Sequence, residues 1–222
     1  MTTPSIELRV DVVLLHIRSN TLTILLSALQ NPQVEARWRL PGAVVAPDES
    51  LDETALRVMR NLSGLQEAYI EQLYTYGEPD RDPCRRSVCC AYMALLPANF
   101  NIPTTQLEGA SIRGFPVNST PPLAFDHQEI LDYALLRLRY KLEYTAVGFQ
   151  LLPKEFTLTE LQKAYEVILG EPLDKRNFRR RILSAEVIEP TTRFKRGEGR
   201  PARLFQYRPD AVAEVRARRL FP

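Results

Sequence analysis

Residues 157–184 read TLTELQKAYEVILGEPLDKRNFRRRILS and divide into two helices joined by a short turn. Thr157–Leu169 has the apolar spacing of a helix, and it is followed by Gly170, a residue type that commonly ends helices. The next three residues make a tight connection, after which Asp174 is a suitable N-cap for a second helix over Lys175–Ser184. The stretch therefore predicts two consecutive helices with almost no linker.

A basic loop that contains glycine follows these helices. It covers Arg193–Pro201 and lies between two short predicted strands, Val187–Ile188 and Leu204–Tyr207. Two helices joined by a short turn and then a β-hairpin are the element order of a winged helix-turn-helix domain. A last helix over Pro209–Leu220 is expected to close the chain.

The second helix has an apolar side and a basic side. At about 100° per residue, Phe178 and Ile182 lie within about 40° of each other, so both face inward. Arg176 and Arg180 lie on the opposite side, with Asn177 beside them. This arrangement suits a helix in a DNA major groove, because arginine can bind guanine edges and asparagine can bind adenine edges. The candidate DNA-binding residues are Lys175, Arg176, Asn177, Arg179, Arg180, Arg181, Lys195, Arg196, Arg200 and Arg203.

The distribution of charged residues also separates the C-terminal third of the chain from the rest. Residues 1–150 contain 13 basic and 17 acidic residues, whereas residues 151–222 contain 16 basic and 10 acidic residues. A basic terminal third on an acidic body is typical of a nucleic-acid-binding module fused to another domain. A solvated basic face, RNA binding and a protein-scaffold role are the alternatives for this third.

The remainder of the chain mixes strands and helices. Ser50 and Glu53 form a capping box for a helix over Leu51–Leu62, which Gly64 ends. A long helix is expected over Asp126–Glu143. Predicted strands cover Val10–Ile17, Leu22–Leu29, Ile70–Tyr76, Ser87–Leu96 and Ser111–Phe115, and Trp38–Val45 is interpreted as a short strand with a turn. We therefore expect an α/β (α+β) domain over residues 1–145 and a winged helix over residues 146–222.

Residues 40–51, LPGAVVAPDESL, resemble the start of the Nudix box, a family motif that reads G-x5-E-x7-R-E-U-x-E-E-x-G-U with U apolar. Aligned on Glu49, the motif places its arginine at Arg57 and its closing pair at Gly64–Leu65. The first glycine falls on Ala43. The resemblance implies a Nudix-like α/β/α sandwich with a mixed sheet, whereas an unrelated α/β domain with a chance match is the alternative.

Three glutamates of the motif are missing. Their positions are occupied by Val58, Asn61 and Leu62, which share one face of the helix. In Nudix hydrolases the carboxylates of this face hold Mg²⁺ against a diphosphate, and Mg²⁺ requires oxygen ligands. The resemblance therefore implies a Nudix fold without ordinary hydrolysis, with no catalytic residues, no metal site and no required cofactor. The alternative is an active hydrolase of ADP-ribose or another nucleoside diphosphate derivative, whose metal is held by Glu49, Asp52, Glu53 and acidic residues from elsewhere in the chain.

A more specific resemblance covers most of the chain. It is similar to the Nudix-related transcriptional regulators of NAD metabolism (the NrtR family) over Tyr69–Pro83, Pro121–His127, Lys141–Tyr144, Phe156–Leu183 and Gly199–Ala202. This resemblance implies a homodimeric repressor that binds double-stranded DNA at a palindromic operator near genes of NAD synthesis or salvage. Its effector would be ADP-ribose or a related NAD-derived nucleotide.

Candidate ligand contacts follow from the chemistry of a nucleotide. Arginine can hold a diphosphate, and a carboxylate can accept a hydrogen bond from a ribose hydroxyl. The candidates are Arg39, Glu49, Arg57 and the Asp80–Arg86 loop, in which Asp80, Arg81 and Asp82 are selected. For each of them a surface ion pair is the alternative. The sequence departs from many relatives over Ser27–Gln30, where a Lys-Arg pair is common, so NAD or a phosphorylated sugar stays an alternative effector.

Cysteine and histidine usage points to an ordinary intracellular protein. Cys84, Cys89 and Cys90 are odd in number, so a disulfide framework is not expected, and they are interpreted as core or half-buried thiols. His16 is expected in the core and His127 in a structural position. With no secretory signal and no membrane-spanning run, the chain is predicted to be cytoplasmic.

Overall fold

The computed structural model describes residues 5–29, 31, 34–98, 100, 106–107, 110–144, 146–196 and 201–208. The chain divides into two compact units. The first unit contains Met1–His16, Leu22–Leu96 and Phe100–Ala134. The second unit contains Ile17–Thr21, Pro97–Asn99 and Leu135–Pro222.

The first unit is built on a mixed sheet. Its strands are β1 (Glu7–Arg18), β2 (Thr21–Ala28), β3 (Trp38–Arg39), β4 (Gly42–Val44), β5 (Tyr69–Tyr76), β6 (Ser87–Leu96), β7 (Gln106–Leu107) and β8 (Ala110–Pro116). The sheet order is β5-β6-β1-β2-β8-β7, with β3 added to β2 and β4 added to β1. Strands β1 and β6 pair in parallel. The pairs β1–β4, β2–β3, β2–β8, β5–β6 and β7–β8 are antiparallel, so the predicted mixed sheet is confirmed.

Local sequence determines the turn between β1 and β2 and the two ends of the first helix. Ser19 and Asn20 join β1 to β2 with φ angles of 49° and 59°, which is the positive-φ geometry of tight hairpin turns. Helix α1 (Leu51–Ser63) begins with the predicted capping box between Ser50 and Glu53. It ends at Gly64, whose φ of 68° suits glycine.

Helix α2 (His127–Tyr144) begins in the first unit and continues into the second. Its predicted stripe of Ile130, Ala134, Leu138 and Leu142 is fully buried. Among the residues that the structure describes, no helix is both long and apolar enough to cross a membrane.

The second unit has the element order of a winged helix. It contains β9 (Glu155–Phe156), α3 (Leu158–Leu169), α4 (Lys175–Ser184), β10 (Ile188–Lys195) and β11 (Ala202–Tyr207). The three strands form a sheet of order β10-β11-β9. Strand β9 was not expected from the sequence, and the hairpin strands are longer than predicted. The expected closing helix over residues 209–220 lies outside the described residues.

Caps and one aromatic cluster fix the two helices of this unit. Thr157 and Glu160 form a capping box at the start of α3, and Asp174 accepts a hydrogen bond from the Asn177 backbone N–H at the start of α4. Tyr165 and Phe178 pack edge to face with ring centroids 5.5 Å apart, and both side chains are buried. The cluster therefore holds α4 against α3 by its apolar side.

Candidate functional site

Helix α4 presents the predicted basic side to solvent. Phe178 and Ile182 are buried, whereas Arg176, Asn177 and Arg180 are exposed. The Arg180 guanidinium donates a hydrogen bond to Asn177 Oδ1 at 3.1 Å. The outward side of α4 is therefore a cationic surface with amide and guanidinium groups at its centre.

The flanking basic residues of α4 differ in exposure. Lys175 is exposed, but Arg179 and Arg181 are half-buried at the edge of the apolar side. Arg179 Nη2 donates to Thr159 Oγ1 on α3 at 3.3 Å. Arg179 thus ties the two helices together, while Lys175 extends the exposed cationic surface.

The hairpin adds a second basic patch. Lys195 forms an ion pair with Glu160 at 2.5 Å, and Arg193 forms one with Glu155 at 2.8 Å. Arg203 is exposed and donates to the Thr191 carbonyl at 3.2 Å. Arg196 is exposed as well, and the predicted Arg200 lies outside the described residues. Arg193 was not among the predicted DNA contacts, because residues 193–201 were interpreted as a loop and not as the end of a strand.

We call the exposed side of α4 and the hairpin together the α4–hairpin surface. Cationic side chains on a helix and an adjacent hairpin can bind phosphates on two sides of a groove while the helix contacts base edges. The geometry is therefore that of a double-stranded DNA interface.

In the first unit, the Nudix-like segment is held by an internal ion pair. Arg57 donates two hydrogen bonds to Glu49, from Nε and Nη2, each at 2.7 Å. Thr54 Oγ1 donates a third at 2.9 Å. The bonds from Arg57 lower the pKa of the Glu49 carboxyl to about 2, although partial desolvation opposes this shift. Both residues are therefore occupied with each other.

The helix face that carries glutamates in the Nudix motif is largely apolar and packed. Val58 and Leu62 belong to the core cluster of the first unit, as the predicted apolar stripe requires, and Asn61 is exposed. Asp52 accepts a hydrogen bond from the Tyr92 hydroxyl at 2.6 Å, and Glu53 is used by the capping box. The described residues contain no group of three or more acidic, histidine or cysteine side chains arranged to hold a metal ion.

The Glu49–Arg57 pair has a testable pH dependence. Because the folded-state pKa of Glu49 is below the usual 4.5, the pair stabilises the fold above about pH 4.5 and loses this contribution as the pH falls through about 2. Arg57→Ala removes the main cause of the shift, so the pKa of Glu49 should rise towards its usual range. A carboxyl-carbon NMR titration measures this, and Arg60→Ala is the control that leaves the pair intact. An unchanged Glu49 pKa in Arg57→Ala would contradict the assignment.

Arg81, predicted to contact the ligand, is buried. Its side chain is 3% exposed and donates two hydrogen bonds of 2.7 Å to Asp126, one to each carboxylate oxygen. A third bond, at 3.1 Å, goes to Ser87 Oγ. Burial alone would lower the pKa of Arg81, but these bonds and the nearby carboxylates raise it. Arg81 therefore links the β5–β6 loop to the start of α2.

A buried carboxylate lies beside this pair. Asp11 is 4.0 Å from Arg81 Nη2, accepts a hydrogen bond from the Cys89 thiol at 3.0 Å, and lies 3.5 Å from His127 Nε2. The Leu40 backbone N–H donates to His127 Nδ1 at 2.8 Å, which leaves Nε2 to carry the proton that faces Asp11. Arg9 Nη2 lies 3.8 Å from Asp11 Oδ1. Burial would raise the pKa of Asp11, but His127, Arg9 and the hydrogen bond from Cys89 keep it well below its usual range. The structural role predicted for His127 is thus confirmed.

Two cavities flank this network. A cleft of about 70 Å³, the cationic cleft, is lined by four arginines, which are Arg9, Arg39, Arg81 and Arg85. Asp11 and Asp82 are its acidic lining residues, so positive charge prevails. Arg85 lies in the Asp80–Arg86 loop, which was predicted to contact the ligand. Arg9 was not predicted, because it belongs to no motif. Such a lining suits an anionic group.

A larger cavity of about 830 Å³ adjoins the cleft through the shared residues Arg81 and Phe125. Tyr74, Tyr76 and the predicted Asp80 line it. Arg39 and Asp82 therefore line the cationic cleft, Asp80 lines the larger cavity, and Arg81 lines both. Within the described residues, Glu49 and Arg57 line neither of them.

Comparison with known proteins agrees with this architecture. Residues 148–207 match the family model described as the NrtR DNA-binding winged helix domain. The chain is 36% identical over 209 residues to the ADPR responsive transcriptional repressor NtrR of Acinetobacter baylyi, covering 92% of this chain and 83% of that protein.

Solved structures give the same result. Shewanella oneidensis NrtR complexed with a 27mer DNA matches with a TM-score of 0.84 and 34% identity, over 96% of this chain and 99% of that chain. The NUDIX domain of the same protein complexed with ADP ribose matches with a TM-score of 0.53 and 32% identity, over 61% of this chain and 90% of that chain.

Proposed function

Since the chain belongs to the NrtR family of transcriptional regulators, we propose that it is a repressor whose affinity for operator DNA responds to ADP-ribose or a related NAD-derived nucleotide. The observation that carries this proposal is the α4–hairpin surface. Its guanidinium and amide groups are exposed above a buried apolar anchor, as a helix in a major groove requires. The regulated genes would be those of NAD synthesis or salvage.

The DNA-binding function is assigned to residues 146–222. Arg176, Asn177 and Arg180 would contact base edges, and the hairpin cations would bind phosphates. We propose that the protein acts in the cytoplasm as a homodimer, because a two-fold assembly matches a palindromic operator.

The effector is assigned to residues 1–145. The cationic cleft would hold the diphosphate, with Arg39, Asp82 and Arg85 from the predicted set and Arg9 as an additional contact. Arg81 would position the floor of the cleft rather than clamp the ligand, since Asp126 already holds its guanidinium. Glu49 and Arg57, also predicted as ligand contacts, are proposed to fix α1 against the preceding loop.

We further propose that binding is not followed by hydrolysis and that no metal or other cofactor is needed. The support is the packing of Val58 and Leu62, because these side chains fill the helix face that would have to present carboxylates to Mg²⁺. Binding of the nucleotide would then regulate DNA binding and would not lead to cleavage of the nucleotide.

A ligand shifts DNA binding only by its differential affinity for two conformations of the protein. Helix α2 is proposed as the element that transmits the effect of ligand binding to the DNA-binding unit. Its first residue, His127, lines the cationic cleft, and from Leu135 onward the helix belongs to the second unit.

The proposal is tested by titrating the full-length protein with operator duplex, with and without saturating ADP-ribose. We expect the nucleotide to change the affinity at least about 5-fold, the lower range of allosteric coupling. Identical affinities would overturn the regulatory part of the proposal. The absence of hydrolysis is tested by chromatography of the same samples for AMP and ribose 5-phosphate. Robust turnover with Mg²⁺ that is lost in Glu49→Gln would establish the hydrolase alternative.

A further inference from the structure

Phe125 has an unusual backbone. Its φ is 58°, in the left-handed region that bulky residues rarely adopt. Such a conformation costs free energy and persists only where the surroundings enforce it, which is common at ligand sites. The residue lies two positions before the first residue of α2, His127, and is half-buried.

Its neighbours in the chain enforce this conformation. The Ala124 backbone N–H donates to the Trp38 carbonyl at 2.8 Å, and Ala124 is fully buried. On the other side, Asp126 is fixed by its two hydrogen bonds from Arg81. With both flanking residues fixed, the position of Phe125 is set by the fold rather than by the packing of its own ring.

The ring lies at the junction of the two cavities. Phe125 lines both the cationic cleft and the larger cavity, and its ring contacts His127 edge to face with centroids 5.3 Å apart. The strained backbone therefore places an aromatic ring at the boundary between the cationic cleft and the larger cavity.

The cationic cleft and the larger cavity differ in the charge of the side chains that line them. The cationic cleft suits phosphate oxygens. The larger cavity is lined by Tyr74 and Tyr76 together with Glu78, Asp80 and Glu129. These carboxylates repel phosphate but accept hydrogen bonds from sugar hydroxyls or an exocyclic amine. A ligand with a diphosphate at one end and a nucleoside at the other matches this division.

We propose that Phe125 is a specificity-determining contact, whose ring packs against the nucleoside part of the effector while the diphosphate lies in the cationic cleft. The inference rests on the proposed function and adds the residue that distinguishes a nucleoside diphosphate from a bare diphosphate. Aromatic rings bind bases by stacking, which is favourable for every base.

Isothermal titration calorimetry of the full-length protein with ADP-ribose, ADP and inorganic diphosphate tests the inference. Phe125→Leu should weaken binding of both nucleotides about 10-fold or more and leave diphosphate binding within about 2-fold. Phe125→Tyr keeps the ring and should bind like the wild type. Phe125→Asn removes the ring but tolerates the left-handed backbone, so it should match Phe125→Leu without loss of thermal stability.

Phe115→Leu is the matched control, because Phe115 is a half-buried aromatic residue of the same unit that lines neither cavity. Equal ADP-ribose affinity in wild type and Phe125→Leu would overturn the inference. A parallel loss for all three ligands would also overturn it, since the ring would then be structural. If the wild type itself does not bind ADP-ribose, the proposed function fails instead, and the inference fails with it.

Discussion

Replacement of Arg176 and Arg180 by alanine together is expected to weaken binding of operator duplex about 100-fold or more. Both guanidinium groups lie on the exposed side of α4, and a base-edge contact by arginine is worth about 1–3 kcal/mol. The anchors Phe178 and Ile182 are untouched, so the fold should be retained. Gel-shift or fluorescence titrations at several salt concentrations measure the affinity and its salt dependence.

Lys163→Ala is the control for this experiment. Lys163 is an exposed cation of the same unit, but it lies on α3 and pairs with Glu166 at 2.9 Å. Its replacement should change operator affinity less than about 3-fold, since it lies outside the α4–hairpin surface. If the double variant kept both wild-type affinity and wild-type salt dependence, α4 would not be the groove-binding helix.

Arg81→Ala is expected to destabilise the protein by about 3 kcal/mol or more, the usual cost of removing one partner of a buried ion pair. The substitution leaves Asp126 and the buried Asp11 without their shared cation. For a chain of this size that corresponds to a fall in the melting temperature of about 6–12 °C. Thermal unfolding at pH 7, followed by circular dichroism, measures it.

Arg85→Ala provides the comparison. Arg85 lies in the same loop and pairs with Glu7, but its side chain is 52% exposed. Exposed ion pairs are worth about 0–1 kcal/mol, so this variant should unfold close to the wild type. An Arg81→Ala protein as stable as Arg85→Ala would show that the buried pair does not hold the loop to α2.

The sequence was sufficient where local rules decide the structure. The two faces of α4 followed from helical periodicity, and the capping box of α1 followed from residue types three positions apart. The apolar stripe through Val58 and Leu62 was likewise predicted and confirmed. In each case the determining residues are near neighbours in the chain.

The ligand region was less predictable because it depends on long-range contacts. Arg81 and Asp126 are 45 positions apart, and only the folded sheet brings them together. The lengths of the hairpin strands β10 and β11 were underestimated for a related reason. Strand β10 is mostly exposed and polar beyond Glu189, so its pairing with β11 gives no apolar alternation in the sequence.

The three thiols differ sharply in accessibility. Cys89 and Cys90 are buried, and burial raises the pKa of Cys89, which keeps it protonated and unreactive. Cys84 is exposed and lines the cationic cleft. A maleimide dye added to the native protein would thus attach at one position, beside the proposed diphosphate site, without any engineered cysteine.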